Sequence, residues 1–161
     1  DPVIYGGFQN DFTIYKNLNV SFYFSYSLGG KMYNLSELWM GSTTSSYNKY
    51  KYILNAWDKE FRPDSDIPKA GYNDTFASDR QVHDASFLRL KNVSISYNIP
   101  IKNKKVKKYL KSTTVGVSGE NLILWKYYNG FDPDVSTSLY RLDNGSFPRP
   151  RTFVFNLSMN F

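Results

Sequence analysis

Apolar and polar residues alternate one for one through several stretches of this chain. In "TFVFNLSMNF", Phe153, Phe155, Leu157, Met159 and Phe161 fall on one side of an extended strand, and Thr152, Val154, Asn156, Ser158 and Asn160 on the other. "NLNVSFYFSYSLGG" keeps the same period: Leu18, Val20, Phe22, Phe24, Tyr26 and Leu28 alternate with Asn19, Ser21, Tyr23, Ser25, Ser27 and Gly29. That run outlasts the roughly five or six residues of a typical soluble strand. It matches the roughly 9 to 11 residues of a strand tilted across a hydrocarbon layer. "SFLRLKNVSISYNIP" carries Val93, Ile95, Tyr97 and Ile99 on one face, with Pro100 closing it. Its first half, Leu88 to Asn92, is out of phase with the second, which predicts a β-bulge. "GGFQNDFTIYKN" and the weaker "STTVGVSGENLIL" complete a set of strands over residues 6–15, 18–30, 85–99, 112–123 and 152–161. The fold class is all-β, antiparallel.

The connections alternate between short and long. Lys16-Asn17 is a tight turn and Ile101 to Lys111 a short basic one, whereas 31–83 and 124–151 are long. Loops beyond about 12 to 15 residues are uncommon in compact domains. Outer-membrane barrels have short periplasmic turns and long extracellular loops. With the last strand descending to the periplasm, both short turns fall on that side and both long loops outside. Within the first loop, Tyr50, Ile53, Leu54, Trp57 and Phe61 recur at helical spacing, predicting an amphipathic helix between Ser45 and Phe61. Ser46 or Asn48 would cap it and Pro63 stop it.

Composition fits such a two-faced sheet. Aromatics make up 18% of the chain while its mean hydropathy, -0.50, is that of a polar protein. No run approaches the roughly 20 apolar residues of a spanning helix, which leaves a membrane β-barrel open. Cysteine is absent, so disulfides and thiolate metal sites are excluded. The net charge of +6 is local: without Lys102, Lys104, Lys105, Lys107, Lys108 and Lys111, the 20 basic residues would equal the 14 acidic ones. No nucleic-acid-binding signature accompanies this cluster, and it reads as a solvated turn beside anionic headgroups or soluble partners.

Catalytic chemistry finds little support. His83 is the lone histidine, with Asp79 and Asp84 nearby in sequence. Asp132 and Asp134, two apart around Pro133, fit an Asx-type turn better than an acid–base pair. No nucleophile-elbow, metalloprotease, phosphate-loop or dinucleotide motif occurs. Enzyme activity and cofactors are not expected. Aromatics in or beside the loops, among them Trp39, Tyr50, Trp57, Trp125 and Tyr127, are candidate ligand or lid contacts. The alternative for each is loop core or an interfacial aromatic girdle.

Three segments together carry a resemblance: "SDRQVHDASFLRLKNVSISYNIP", "VSGENLILWKYYNGFDPDVS" and "FPRPRTFVFNLSMNF". They resemble the C-terminal end of the SusC/RagA-like TonB-dependent outer-membrane transporters, and "DPVIYGGFQNDFTIYKNLNVSF" and "WDKEFRPDSDIPKAG" fit the corresponding upstream regions. Glu120 is a departure, standing where an uncharged polar residue is expected.

The resemblance implies the last five strands of a barrel of about 22, with one short helix in a long extracellular loop. Plug domain and TonB box would lie outside these 161 residues. It implies an outer-membrane location in a Gram-negative bacterium of the Bacteroidota. The partners implied are the rest of the barrel and plug, a SusD-like surface lipoprotein lid, the TonB complex, membrane lipid, and an oligosaccharide or peptide substrate. It further implies that Phe153, Phe155, Leu157, Met159 and Phe161 form the barrel-assembly signal. Val20, Phe22, Phe24, Val93, Ile95, Phe155, Leu157 and Met159 are expected to face lipid. Ser21, Ser25, Ser94, Ser96, Asn156 and Ser158 are expected to face the lumen. The rival reading is a secreted β-sandwich carbohydrate-binding module, which would bury one face of each strand in a core.

Overall fold

The computed structural model describes residues 1–44, 46–71, 77–134 and 141–161. In chain order its strands are β1 Ile4–Ile14, β2 Leu18–Leu28, β3 Lys31–Asn34, β4 Val82–Asp84, β5 Phe87–Ile99, β6 Ser112–Lys126, β7 Leu142–Asp143 and β8 Thr152–Asn160. Helices are α1, Leu35–Met40, and α2, Lys104–Lys107, with 3₁₀ turns at Lys51–Asn55 and Asp79–Gln81. The chain divides into two units.

The first unit comprises Asp1–Gly29, Ser86–Lys126 and Arg149–Phe161. It is one antiparallel sheet in the order β1-β2-β5-β6-β8. Four of these strands run 11, 11, 13 and 15 residues, long enough to cross a hydrocarbon layer at a tilt. Because directly paired residues share a face, the register aligns apolar rows across the whole sheet. Phe12, Val20, Ile95, Val117 and Phe155 form one such row. The opposite face carries Asp11, Ser21, Ser94, Ser118 and Val154 in the adjacent row.

The phase break expected near Leu88 is a bulge at Lys91. Tyr23 pairs with Asn92 but Phe24 pairs with Leu90, so β5 carries one residue more than β2 there. On its other side, Leu90 pairs with Ile123 and Asn92 with Glu120, and β6 accommodates the difference at Asn121, whose φ is 53°. The extra residue returns Leu88 and Leu90 to the face of Val93 and Ile95. Without it both would point to the polar side.

The β1–β2 turn is one residue longer than the Lys16-Asn17 pair suggested. Tyr15 and Lys16 are both left-handed, with φ of 49° and 67°, and the Asn17 amide donates to the Ile14 carbonyl at 3.3 Å. The Asn17 carbonyl accepts from the Asn98 amide of β5 at 2.8 Å, tying the turn to the neighbouring strand. Gly29 ends β2 at φ 76°, where a Cβ would lie 2.8 Å from a Val3 methyl.

The second unit comprises Gly30–Ala85 and Tyr127–Pro148. Its sheet has the order β4-β3-β7, with β3 antiparallel to β4 and parallel to β7. Met32, Ala85 and Tyr128 form its buried apolar cluster. The helix expected between Ser45 and Phe61 does not form; Ser45 itself lies outside the described residues. Only Lys51–Asn55 coils, as a 3₁₀ turn without a side-chain cap. Past that turn the donors go elsewhere: the Trp57 amide donates to the Ile67 carbonyl at 2.8 Å, and the Asp58 carboxylate accepts from the Glu60 and Phe61 amides at 2.9 and 3.1 Å. Those two bonds also hold the Asp58 carboxyl below its ordinary pKa. The α-helix forms earlier, at Leu35–Met40, because the Asn34 side chain caps the Glu37 amide at 3.1 Å.

No core is packed on the apolar face of the sheet, where Phe8, Phe12, Ile95 and Trp125 are exposed, and on β8 both faces are open. Phe155 is 84% exposed and Phe153 68%, whereas Ser25, Ser27 and Arg89 of the polar face are buried. A sandwich module would bury the apolar face, which counts against the rival reading. The expectation that this face meets lipid is tested by a lysine placed on it: in the full-length protein reconstituted in lipid vesicles, Val93→Lys is expected to destabilise the folded state by about 2 to 4 kcal/mol. Ser94→Lys, one residue on and on the other face, is expected to change it by less than about 0.5 kcal/mol. Urea unfolding followed by heat-modifiable gel mobility measures both.

Candidate functional site

The polar face is the surface of the sheet able to line an aqueous passage. Ser21, Ser94 and Ser118 are neighbours along one row, and Ser96, Gly116 and Asn156 along another. Small residues here leave width, and hydroxyls and amides supply most of its polarity, with Asp11, Arg89 and Glu120 as charged members. Glu120 belongs to this face, paired with Asn92 and Thr152 and exposed. Tyr23 lies over Gly7 so closely that a Cβ there would come 2.5 Å from its hydroxyl, so the aromatic is accommodated by the missing side chain.

The apolar face is held by aromatic contact. Phe8 stacks on Phe24 with centroids 4.9 Å apart, Phe22 meets Phe24 edge-on at 5.7 Å, and Phe24 stacks with Trp125 at 6.5 Å. Val20, Phe22, Phe24, Val93 and Ile95 share this face with Phe153, Phe155, Leu157 and Met159. Phe161 follows β8 and is exposed.

The loop aromatics do not converge. Trp125 is on the apolar face, stacked with Phe24. Trp57 donates its indole N–H to the Pro63 carbonyl at 2.9 Å and its amide to the Ile67 carbonyl at 2.8 Å, closing its own loop. Tyr50 stacks on Tyr52 with centroids 5.8 Å apart. Tyr127 is exposed. Trp39, half-exposed, lines an open pocket with Ser36, Met40, Tyr47 and Asn48. Asp132 and Asp134 form an Asx turn, the Asp134 amide donating to Asp132 Oδ1 at 2.9 Å. Val135 and Ser136, the end of the motif holding them, lie outside the described residues.

One cluster in the second unit escaped sequence reasoning. His83 on β4 pairs through Nε2 with the Glu37 carboxylate of α1, and the Asn129 amide reaches His83 Nδ1 at 3.4 Å. The Tyr52 hydroxyl donates to the other Glu37 oxygen at 3.3 Å. Burial, reinforced by Glu37, pushes the Tyr52 phenol up to about 12. Beside this cluster, the His83 ring meets Tyr128 at 6.2 Å, and Tyr128 donates to buried Asp143 at 2.6 Å. Burial and that carboxylate push the Tyr128 phenol well above its ordinary range. Forty-six residues separate Glu37 from His83, so no local spacing could have paired them. Among the described residues no group of three His, Cys, Asp or Glu side chains is placed to hold a metal. The arrangement ties loop segments together and contains no nucleophile with an activating base.

No family model matches the sequence. Relatives do. The TonB-dependent receptors P3 and P26 of Formosa agariphila are 34% and 33% identical over 96% and 99% of this chain. The TonB-dependent receptor SusC of Bacteroides thetaiotaomicron is 28% identical over 91%. This chain spans only 16%, 17% and 14% of the length of those three proteins. Among solved structures, the RagAB peptide transporter superposes with a TM-score of 0.85 at 26% identity, over 98% of this chain and 17% of that one. The RagAB peptide importer in its open-open state gives 0.84 at 27% identity, over 100% of this chain and 17% of that one.

Two outcomes test the loop cluster. Tyr128→Phe leaves Asp143 Oδ2 without that donor in a buried place and is expected to cost the second unit about 1 to 3 kcal/mol, seen as faster amide exchange across β3 and β7. Tyr52 holds its proton more tightly when folded than its ordinary value of 10.0 allows, so its contribution is intact below pH 10.0 and lost as pH rises to about 12. Protease resistance of the 50s loop should fall across that window, and Tyr52→Phe should flatten the fall.

Proposed function

We propose a function from the premise that this chain is a barrel segment of the SusC/RagA-like TonB-dependent transporters: it supplies wall and outer loops to an outer-membrane importer of oligosaccharides or peptides. Its polar face lines the lumen and its apolar face meets lipid. The observation that carries the reading is a sheet whose apolar face has no core packed on it, Phe8, Phe12, Ile95, Phe153 and Phe155 being exposed there while Ser25, Ser27 and Arg89 of the polar face are buried. The RagAB relatives, named as peptide transporters, support the importer class, and SusC supports the same assembly type.

In this reading the short turns at 15–17 and 100–111 are periplasmic, and the second unit belongs to the extracellular loops. A SusD-like lipoprotein closes over the loops, substrate is captured beneath it, and a plug coupled to the TonB complex rearranges to release it inward. Phe153, Phe155, Leu157, Met159 and Phe161 serve as the assembly signal. The sheet itself performs no bond chemistry. Its contribution is shape, an unbroken hydrogen-bonded wall, and a wetted inner surface. Trp39, half-exposed at its pocket, and the more exposed Tyr127 are the named loop aromatics open to substrate or lid.

Recovery of the native polypeptide from detergent-solubilised outer membrane tests this. The expected result is a chain several times longer than 161 residues, co-purifying with a surface lipoprotein. A free 18.7 kDa chain in the soluble fraction would overturn it.

A further inference from the structure

The lysine-rich turn is the one strongly charged surface that neither the wall nor the loops explain. Lys102, Lys104, Lys105, Lys107, Lys108 and Lys111 are all exposed, and from Ala85 to Gly119 the sequence contains no Asp or Glu. No ion pair with a carboxylate involves any of these six among the described residues. The turn is not loose: the Asn103 side chain caps α2 by accepting from the Lys105 amide at 2.9 Å. The Leu110 amide donates to the Val106 carbonyl at 2.8 Å.

Its place matters as much as its charge. Leu18 pairs with Tyr97 and Ser112 with Asn160, so turns 15–17 and 100–111 and the end of β8 share one end of the sheet. The chain leaves the opposite end at Leu28 and Lys126. On the turn itself Val106 and Tyr109 are exposed between the lysines, and Lys108 lies 5.7 Å from the centroid of the Tyr109 ring. Tyr15, Tyr97, Ile99 and Phe161, all exposed, adjoin that end. Lys111 donates to the Phe161 carbonyl at 2.8 Å, tying the turn to the end of β8. A belt of tyrosines with long cations beyond an apolar band is the composition of a membrane–water interface, where rings sit at headgroup level and ammonium groups extend to phosphate.

We propose that the 100–111 turn is a binding surface for anionic phospholipid headgroups of the inner leaflet of the outer membrane. This rests on the barrel reading above, which turns that end toward the periplasm. Several cations without counter-charges, held over an apolar ledge, favour phosphatidylglycerol or cardiolipin over zwitterionic lipid. The ring of Tyr109 and the Val106 methyls supply the shallow apolar contact, and the lysines supply the phosphate contact.

The test uses the full-length transporter. Native mass spectrometry after reconstitution in mixed phosphatidylethanolamine and phosphatidylglycerol reads the ratio of the two lipids retained. A variant with Lys102, Lys104, Lys105, Lys107 and Lys108 all changed to Gln is compared with one carrying Arg at the same five positions; Lys111 is kept because it holds β8. The wild type and the Arg variant are expected to retain phosphatidylglycerol on the order of tenfold more selectively than the Gln variant, with the preference weakening at high salt. Equal retention by all three would overturn the proposal. Lys105→Cys, labelled with an impermeant thiol reagent, separates the two readings. Labelling only after the outer membrane is permeabilised, combined with equal retention, sinks the lipid surface alone. Labelling in intact cells would place the turn outside and sink the orientation with it.

Discussion

A strand crossing lipid has no water to satisfy its backbone, so each amide and carbonyl must be paired sideways with a neighbouring strand. Everything in the first unit follows from that. Each of the long strands β1, β2, β5, β6 and β8 is bonded to the next. Only the outer edges of β1 and β8 lack a further strand among the described residues. Five strands with two open edges are not viable in a bilayer, so the sheet requires continuation by other strands. Once the ladder is imposed, side chains have only two directions, and alternation sends the apolar residues to one face and the polar ones to the other.

The same constraint explains why the bulge at Lys91 is tolerated. A single extra residue would reverse every side chain beyond it, putting serines on the apolar face and leucines on the polar one. The sequence compensates in advance: Leu88 and Leu90 occupy even positions, and Val93, Ile95, Tyr97 and Ile99 odd ones. The neighbouring left-handed Asn121 lets β6 follow the displaced register. Bulge and pattern are therefore one feature read at two levels.

The sheet was legible because period-two alternation is a local signal that survives without tertiary context. Phe153 through Phe161, and Val20 through Tyr26, identify their strands and faces unaided. The break at Leu88–Asn92 was visible for the same reason. What was not legible lies in the second unit. The helical spacing of Tyr50, Ile53, Leu54 and Trp57 gave way to a 3₁₀ turn, beyond which the Trp57 amide bonds to distant Ile67 and Asp58 captures the Glu60 and Phe61 amides. The six residues of α1 are too short to show periodicity. The Glu37–His83 pair, the Tyr128–Asp143 bond and the parallel β3–β7 contact join residues far apart in the chain, where no spacing rule reaches. Aromatic content alone could not tell Trp125, stacked on the wall, from Trp39, open at a pocket.

The central claim is that one face of this sheet meets hydrocarbon and the other meets water. It is tested most directly by attaching an environment-sensitive fluorophore to single cysteines placed in turn at Val93, Ser94, Ile95 and Ser96 of the full transporter, in vesicles whose acyl chains carry a quencher. The account predicts strong quenching at positions 93 and 95 and weak quenching at 94 and 96. Equal quenching at all four, or the reverse alternation, would contradict it.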